Sequence, residues 1–267
     1  MSTELFFLSA LMLCPAIFLY TRIKDETEAR IFKNARGEKI PYRSYTPPIS
    51  GKRRKYPVIL FFHGSLERGS DNLKQMSYGI RELINYSKAR NKPVFILAPQ
   101  CSKREEWVKL SYSGKSHKMT DKPTNALKLA LELLDDTVKR EPIDARRVYV
   151  VGLSMGAFAV WDAIERRPGY FAAAIPICGG GDISKAGSLV KIPIWAFHGK
   201  LDEVVAVRRS RNMIDAIRKK GGSPCYTEYP EGEHDSWVMT FKNIKVFDWL
   251  LKQRKKQGKR VTRERSF

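Results

Sequence analysis

The chain has 267 residues, of which 43% are hydrophobic, and this length and composition suit one domain with a single large core. The 49 Lys and Arg residues outnumber the 28 Asp and Glu residues, which gives a formal net charge of +21 at pH 7. The four cysteines have no paired spacing, which excludes a disulfide framework; a bridge between Cys101 and Cys178 would be possible only through their loops.

The N-terminal segment, residues 1–28, is predicted to lie outside the core. Its mostly apolar stretch 5–20 is followed by Arg22 and Lys24 and is similar to an export signal, although it lacks a basic n-region and a clear cleavage site. A short membrane anchor is the alternative, but about 20 residues are normally needed to span a bilayer. We therefore expect a periplasmic or extracellular protein, with membrane anchoring as the alternative.

Strand-like apolar runs alternate with segments of helical spacing along residues 29–251, which favours a mostly parallel sheet with helices on both faces. The stretch 181–190 is too short for a cap domain, so we expect an eight-stranded α/β domain with an open site. Helical spacing appears in residues 73–84, 126–138 and 246–251. The predicted strands are residues 29–34, 40–45, 57–62, 94–99, 148–151, 172–177, 192–197 and 225–229.

The buried run 58–62 ends in the sequence His63-Gly64-Ser65-Leu66. A backbone N–H in a loop that follows a strand, together with the N–H of the residue after a serine nucleophile, can form an oxyanion hole, and Ser154 is the candidate nucleophile described below. We predict Ser65, Leu66 and Met155 as the oxyanion-hole residues and His63 as a structural turn residue.

The longest insertion runs from residue 101 to residue 124 and carries Trp107 and Tyr112. We hypothesise that this loop, through Trp107, forms part of the substrate wall together with Trp237, since binding residues gather on loops held by a rigid sheet. A solvated surface loop with Trp107 packed beneath it is the alternative.

The pentapeptide Gly152-Leu153-Ser154-Met155-Gly156 follows the apolar run 148–151 and precedes a helix-like segment. A G-x-S-x-G motif between a strand and a helix forms a tight turn that exposes the serine hydroxyl at the carboxyl end of the strand. A glycine-rich turn whose serine caps the helix is the alternative interpretation. We predict Ser154 to be a nucleophile.

The order of residues after the pentapeptide supports this prediction, because an α/β-hydrolase needs Ser, then an acid, then His. Only His198 and His234 follow Ser154, and His198 ends an apolar run where it is assigned to the turn. His234, in the loop 230–235, is therefore the predicted base. Asp202, just past the strand 192–197, is the predicted acid, with Glu203 as its competitor.

Five segments together carry a family resemblance: residues 63–72, residues 98–101 with Trp107, residues 152–156 with Trp161, residues 176–182 and residues 234–237. They resemble the bacterial α/β-hydrolases often called "predicted peptidase", which are similar to dienelactone hydrolases, feruloyl esterases and the catalytic part of prolyl oligopeptidases. The resemblance covers about residues 29–251. It implies the α/β-hydrolase fold and a Ser-Asp-His triad, and it says much less about the substrate.

Two positions depart from the pattern of that group, which usually has glycine at both. Leu66 is expected to narrow the acyl pocket or shift the oxyanion loop, and Ala157 is a mild change that helix propensity favours.

The C-terminal segment, residues 252–267, carries a local charge of +7 and is typical of a disordered, solvated tail. Binding to an anionic membrane surface, nucleic acid or an acidic polysaccharide is the alternative. No nucleic-acid-binding motif is present, so we expect no specific nucleic-acid partner; peripheral contact with a membrane or polyanion would use this tail and the N-terminal segment. The charged residues of the C-terminal segment are Lys252, Arg254, Lys255, Lys256, Lys259, Arg260, Arg263, Glu264 and Arg265.

These features predict a serine hydrolase that cleaves carboxylic esters, either small molecules or polysaccharide-linked, through an acyl-enzyme intermediate. A serine peptidase of the prolyl oligopeptidase type uses the same groups and is the alternative. A non-catalytic polyanion-binding protein on a hydrolase fold is the alternative from a different class. The sequence has no H-E-x-x-H motif, cysteine pair or phosphate loop, so we expect no metal and no other cofactor.

Overall fold

The computed structural model describes residues 26–51, 54–110 and 117–256. Residues 1–25 of the predicted export signal or anchor, Tyr112 of the insertion and residues 257–267 of the predicted tail lie outside the described residues. Across these three ranges, no helix combines the length and the apolar character needed to cross a bilayer.

An eight-stranded sheet forms the centre of the fold, with the strand order β1-β2-β4-β3-β5-β6-β7-β8. Strand β2 is antiparallel to both of its neighbours, β1 and β4, and the other neighbouring strands are parallel. The predicted mostly parallel sheet is therefore confirmed. The strands are β1 (Glu28–Lys33), β2 (Lys39–Tyr45), β3 (Tyr56–Phe62), β4 (Phe95–Pro99), β5 (Ile143–Leu153), β6 (Ala173–Ile177), β7 (Trp195–Gly199) and β8 (Cys225–Tyr229).

Helices cover both faces of the sheet, as predicted. Between β6 and β7 the chain forms only the short 3-10 helix Ile183–Leu189, so this described connection holds no cap domain. A second 3-10 helix, Lys74–Met76, follows β3. The α-helices are α1 (Ile80–Ala89), α2 (Asn125–Arg140), α3 (Met155–Arg166), α4 (Arg208–Lys219), α5 (Trp237–Lys242) and α6 (Ile244–Lys252).

The two faces of the sheet bury separate apolar clusters, because successive side chains of a strand point to opposite faces. In β3, Val58, Leu60 and Phe62 belong to the cluster that also contains residues of α2, α3 and α4. Ile59 and Phe61 belong to the cluster that contains residues of α1, α5 and α6. The central strands are therefore buried on both sides, and polar side chains collect where the strands end.

Two boundaries and one helix differ from the predictions. The helical spacing of residues 73–84 is divided at Gly79, whose φ of +80° is left-handed and where a Cβ would lie 2.7 Å from the Phe241 ring. Strand β5 begins earlier than predicted, since Ile143 already pairs with Tyr56. Helix α4 was not predicted, because most of its residues are polar or charged.

The described start of the predicted tail, residues 252–256, contacts the domain at Lys255. Helix α6 ends at Lys252, and the Lys255 backbone N–H donates to the Arg146 carbonyl at 3.0 Å. The Lys255 ammonium donates to the Tyr170 carbonyl at 2.7 Å. The domain boundary at residues 251 and 252 stays a prediction.

Candidate active site

The turn between β5 and α3 places Ser154 at the carboxyl end of a central strand. Its φ of +51° is left-handed, a strained conformation for a residue other than glycine. The turn requires glycine on both sides: a Cβ on Gly156 would lie 2.1 Å from the Phe62 carbonyl oxygen, and one on Gly152 would lie 2.5 Å from the Gly156 oxygen. This close packing of the helix start against β3 fixes the direction in which the Ser154 hydroxyl points.

The structure brings Ser154, His234 and Asp202 together, although they come from three different loops. The Ser154 Oγ lies 2.9 Å from the His234 Nε2, and the His234 Nδ1 lies 2.8 Å from an Asp202 carboxylate oxygen. Both distances are those of hydrogen bonds. His234 follows β8, and its ring packs edge to face on Trp237 with ring centroids 5.1 Å apart.

Asp202 follows β7, and its second carboxylate oxygen accepts the backbone N–H groups of Val204 and Val205 at 2.9 and 2.8 Å. Burial acts to raise the pKa of Asp202, but hydrogen bonds from His198, His234 and the Val205 N–H outweigh it and hold the pKa well below its usual range. The side chain is therefore a carboxylate. Its competitor Glu203 is exposed to solvent.

His198 also contacts Asp202, a role that the sequence analysis missed when it assigned this residue to the turn. Its Nε2 lies 3.2 Å from the same carboxylate oxygen that faces His234, and 2.9 Å from the Val205 carbonyl oxygen. Its Nδ1 lies 2.7 Å from the Ser210 hydroxyl. The signal in the sequence is the position of His198 at the end of β7, four residues before Asp202, in the loop that carries the acid.

Cys178 lies beside the same pair, at the end of β6. Its sulfur, an Asp202 oxygen and a His234 nitrogen lie within 4.8 Å of one another, and in the described part of the chain this is the one group with metal-ligand chemistry. Burial raises the pKa of the Cys178 thiol to about 12, so the sulfur is protonated. The Asp202 and His234 members of this group are hydrogen-bonded to each other.

The loop 63–69, which we call the oxyanion loop, is held by hydrogen bonds to the residues that follow β4. The His63 Nε2 accepts the Cys101 N–H at 3.0 Å, and the Gln100 side-chain amide donates to the Glu67 carbonyl at 3.1 Å. Burial lowers the pKa of His63 to about 4, so the ring is neutral and can accept this hydrogen bond. The expected structural role of His63 agrees with these contacts.

The three residues predicted to form the oxyanion hole lie on the two sides of the serine. Met155 is the first residue of α3 and is buried, and Ser65 is half-buried in the oxyanion loop. Leu66 points into solvent with 88% of its side-chain surface exposed. The expectation that Leu66 narrows an acyl pocket is therefore wrong, because the side chain turns away from the core.

The structure contradicts the predicted role of Trp107 in the substrate wall, because this side chain is fully buried. Its indole N–H donates to the His63 carbonyl at 3.1 Å, and its ring packs on the Phe62 and His63 rings. Trp107 supports the oxyanion loop instead. Trp237 stays beside His234 and packs on Tyr78, whose ring centroid lies 5.8 Å away and whose side chain is 41% exposed.

A groove of about 950 Å³ lies beside the oxyanion loop. Arg68 links the two, because its guanidinium donates to the Ser65 carbonyl at 3.0 Å and to the Glu105 carbonyl at 3.3 Å. The rest of the lining comes from residues 103–106, 109 and 120–125 of the insertion, and most of it is charged or polar.

A sequence model of the phospholipase/carboxylesterase family matches residues 48–248. The chain belongs to this family of ester hydrolases. Membership in the phospholipase/carboxylesterase family confirms the predicted α/β-hydrolase superfamily.

Among solved structures, a thermostable esterase is similar to this phospholipase/carboxylesterase-family chain, with 38% identity and a TM-score of 0.78. The match covers 86% of this chain and 64% of the other. A ferulic acid esterase is 16% identical with a TM-score of 0.63 over 84% of this chain and 97% of the other, which shows a shared fold. An acylaminoacyl peptidase of Pyrococcus horikoshii shares the fold in the same way, with 16% identity and a TM-score of 0.65 over 91% of this chain and 44% of the other.

A curated relative is the bifunctional acetylxylan esterase/xylanase XynS20E of Neocallimastix patriciarum, which is 28% identical over 108 residues. The match covers 39% of this chain and 16% of the relative. The chain thus spans about a sixth of this relative and less than two thirds of the thermostable esterase.

Proposed function

We propose that this protein hydrolyses carboxylic esters through an acyl-enzyme intermediate, with Ser154 as the nucleophile, His234 as the general base and acid, and Asp202 as the orienting carboxylate. The observation that carries the proposal is the hydrogen-bonded chain from the Ser154 Oγ through both His234 nitrogens to Asp202. An unactivated serine hydroxyl is a weak nucleophile, and an adjacent base with a third, orienting group is the arrangement that activates it.

The proposed reaction has two halves. As the Ser154 oxygen attacks the ester carbonyl, His234 Nε2 takes the hydroxyl proton, and it then gives this proton to the departing alcohol oxygen. In the second half, water attacks the acyl-enzyme while His234 takes a proton from it. His234 then returns this proton to the Ser154 oxygen as the carboxylic acid leaves. Asp202 keeps a proton on Nδ1, so that Nε2 is free to act as the base.

The negative oxygen of each tetrahedral intermediate would be stabilised by the backbone N–H of Met155 and by one from Ser65 or Leu66 in the oxyanion loop. The positions of these residues on the two sides of Ser154 support this assignment: Met155 begins α3, and the oxyanion loop follows β3. Removing one such donor typically costs about 10²–10³-fold in kcat.

We propose Trp237 and Tyr78 as part of the wall that receives the substrate, since Trp237 packs on the His234 ring and Tyr78 on Trp237. The polar groove beside the oxyanion loop would receive the remaining part of the substrate, and its charged lining suits a sugar or another hydrophilic group better than a long alkyl chain. Acetyl or feruloyl esters on polysaccharides fit a site that has an aromatic wall and a polar groove for the sugar.

We also propose that the protein is exported, that it makes peripheral contact with a membrane or polyanion, and that the chain divides into residues 1–28, 29–251 and 252–267. Fractionation of the producing cells, followed by N-terminal sequencing of the protein, tests export. An intact Met1 in the cytosolic fraction would refute export.

The function is tested by assaying p-nitrophenyl acetate, methyl ferulate and a short peptide p-nitroanilide with the wild-type protein, Ser154→Ala and the control Ser188→Ala, which changes an exposed serine. We expect esterase activity in the wild type and the control, and a loss of at least about 10⁴-fold in Ser154→Ala. A fluorophosphonate probe should label Ser154 by mass spectrometry. Hydrolysis of the anilide alone would favour a peptidase, and unchanged ester hydrolysis by Ser154→Ala would refute the proposal.

A further inference from the structure

Glu67 is a buried acidic residue in the oxyanion loop that the reaction described above does not use. A turn at residues 65–68, in which the Arg68 N–H donates to the Ser65 carbonyl at 3.4 Å, sends neighbouring side chains in opposite directions. Leu66 is 88% exposed, whereas Glu67 is only 7% exposed. The loop therefore turns an apolar side chain to solvent and a carboxyl group inward, the reverse of the usual preference.

The carboxyl group of Glu67 lies against the glycine that faces the nucleophile. A Cβ on Gly64 would lie 2.9 Å from the Glu67 Oε2 and 3.6 Å from the Ser154 Cβ, so the carboxyl group and the serine approach the same small space. The Glu67 carboxyl accepts backbone hydrogen bonds from Gly64 and from its own N–H group. It thus fixes the backbone at the start of the oxyanion loop.

The surroundings of Glu67 favour the uncharged acid. Burial raises the pKa of Glu67, and the backbone hydrogen bonds offset this only in part. Arg68, the nearest cation along the loop, points away from it, with its guanidinium on the Ser65 and Glu105 carbonyls. His63 is neutral, and Asp71 is held by Gln100 and by the N–H groups of Leu73 and Lys74.

We infer that Glu67 is a positioning residue for ester hydrolysis: its carboxyl group holds Gly64, and through it the oxyanion loop, beside Ser154. The tetrahedral intermediate places a negative oxygen between Met155 and the same loop, so the protonation state of this carboxyl group affects the reaction. A carboxylate at this position opposes that charge, whereas a carboxylic acid does not. This inference rests on the proposed function.

The test compares Glu67→Gln, which keeps the shape and stays uncharged, with Glu67→Ala and with the control Glu82→Gln, a half-buried carboxyl on α1. We expect Glu67→Gln to keep kcat for p-nitrophenyl acetate within about threefold at pH 6, and Glu67→Ala to lose about 10–100-fold in kcat with little change in KM. Glu82→Gln should match the wild type throughout.

The decisive readout is the ratio of kcat between the wild type and Glu67→Gln from pH 5 to 9, because pH effects on the rest of the site are common to both proteins and cancel. The Glu67 carboxyl group loses its proton as pH rises through its raised pKa, whereas the amide does not titrate, so the ratio should fall by at least about threefold from the acid to the alkaline end. A flat ratio, or a loss in Glu67→Gln as large as in Glu67→Ala, would overturn the inference. Ser154→Ala would still be inactive in that case, which separates this failure from failure of the proposed function.

Discussion

Asp202→Asn provides the sharpest test of how the site is built. One carboxylate oxygen of Asp202 accepts two backbone N–H groups at 2.9 and 2.8 Å. An amide NH₂ cannot accept hydrogen bonds, so the Asn oxygen must keep this position. The NH₂ group then faces His234, where the carboxylate oxygen now lies 2.8 Å from Nδ1.

The consequence is a change of tautomer in His234. With an NH₂ donor opposite it, Nδ1 must accept, which moves the ring proton to Nε2 and points an N–H at the Ser154 hydroxyl. Nε2 can then no longer take the serine proton. An equivalent change in other serine hydrolases costs about 10⁴-fold in kcat, which is about 5.5 kcal/mol of transition-state stabilisation.

We expect Asp202→Asn to lower kcat for p-nitrophenyl acetate by about 10³–10⁴-fold with KM changed little, as measured by steady-state kinetics on freshly purified protein. The control is Glu203→Gln, which alters the neighbouring exposed carboxyl and should keep wild-type activity. Circular dichroism should show both variants folded. Retention of more than a tenth of wild-type kcat by folded Asp202→Asn would refute the role of Asp202 in orienting His234.

Three further substitutions test individual contacts. His198→Gln removes an imidazole from the Asp202 carboxylate and should lower kcat about tenfold, measured on variant protein whose unfolding is still cooperative. Trp107→Phe leaves the buried His63 carbonyl without its donor and should lower the free energy of unfolding in urea by about 1–3 kcal/mol. The ratio of kcat/KM for acetyl esters to kcat/KM for butyryl esters should stay constant. A changed ratio would restore a role for Trp107 in the substrate wall. Burial raises the pKa of Glu165 well above its usual value, so the native state binds a proton more tightly than the unfolded chain, and stability falls as pH rises above the unfolded value of about 4.5. Glu165→Gln removes this loss, and its stability relative to the wild type should increase from pH 5 to pH 8.5; an equal difference at both pH values would contradict the assignment.

The sequence predicted the sheet well because its central strands are buried on both faces and appear as continuous apolar runs. The run before His63 and the run before Gly152 are both of this kind, and they became neighbours in the sheet, β3 and β5. The boundary of β5 was missed at its start, because residues 143–147 are mostly polar and only Ile143 among them pairs with a neighbouring strand. Gly79 and the polar helix α4 were missed because tertiary contacts, and not local apolar spacing, decide them.

The candidate site was predictable where a motif imposes chain order and local geometry. The G-x-S-x-G turn pointed to Ser154, and the order of residues after it led to Asp202 and His234, which the structure brings within hydrogen-bond distance. Trp107 was placed wrongly, because a tryptophan in a long polar insertion can face either solvent or core. Glu67 was missed because burial and direction, which decide its role, leave no mark in a single sequence. His198 was missed because its position four residues before Asp202 was interpreted as a turn.

The two glycines that flank the serine turn restrict how this protein can be altered. A Cβ on Gly156 would approach the Phe62 carbonyl oxygen to 2.1 Å, and that atom belongs to a central strand that cannot retreat without disturbing the sheet. Efforts to change substrate preference are therefore best directed at exposed side chains of the insertion that line the groove, such as Lys103, Lys109 and Lys122. Diversity can be introduced there without disturbing the backbone that aims the hydroxyl group.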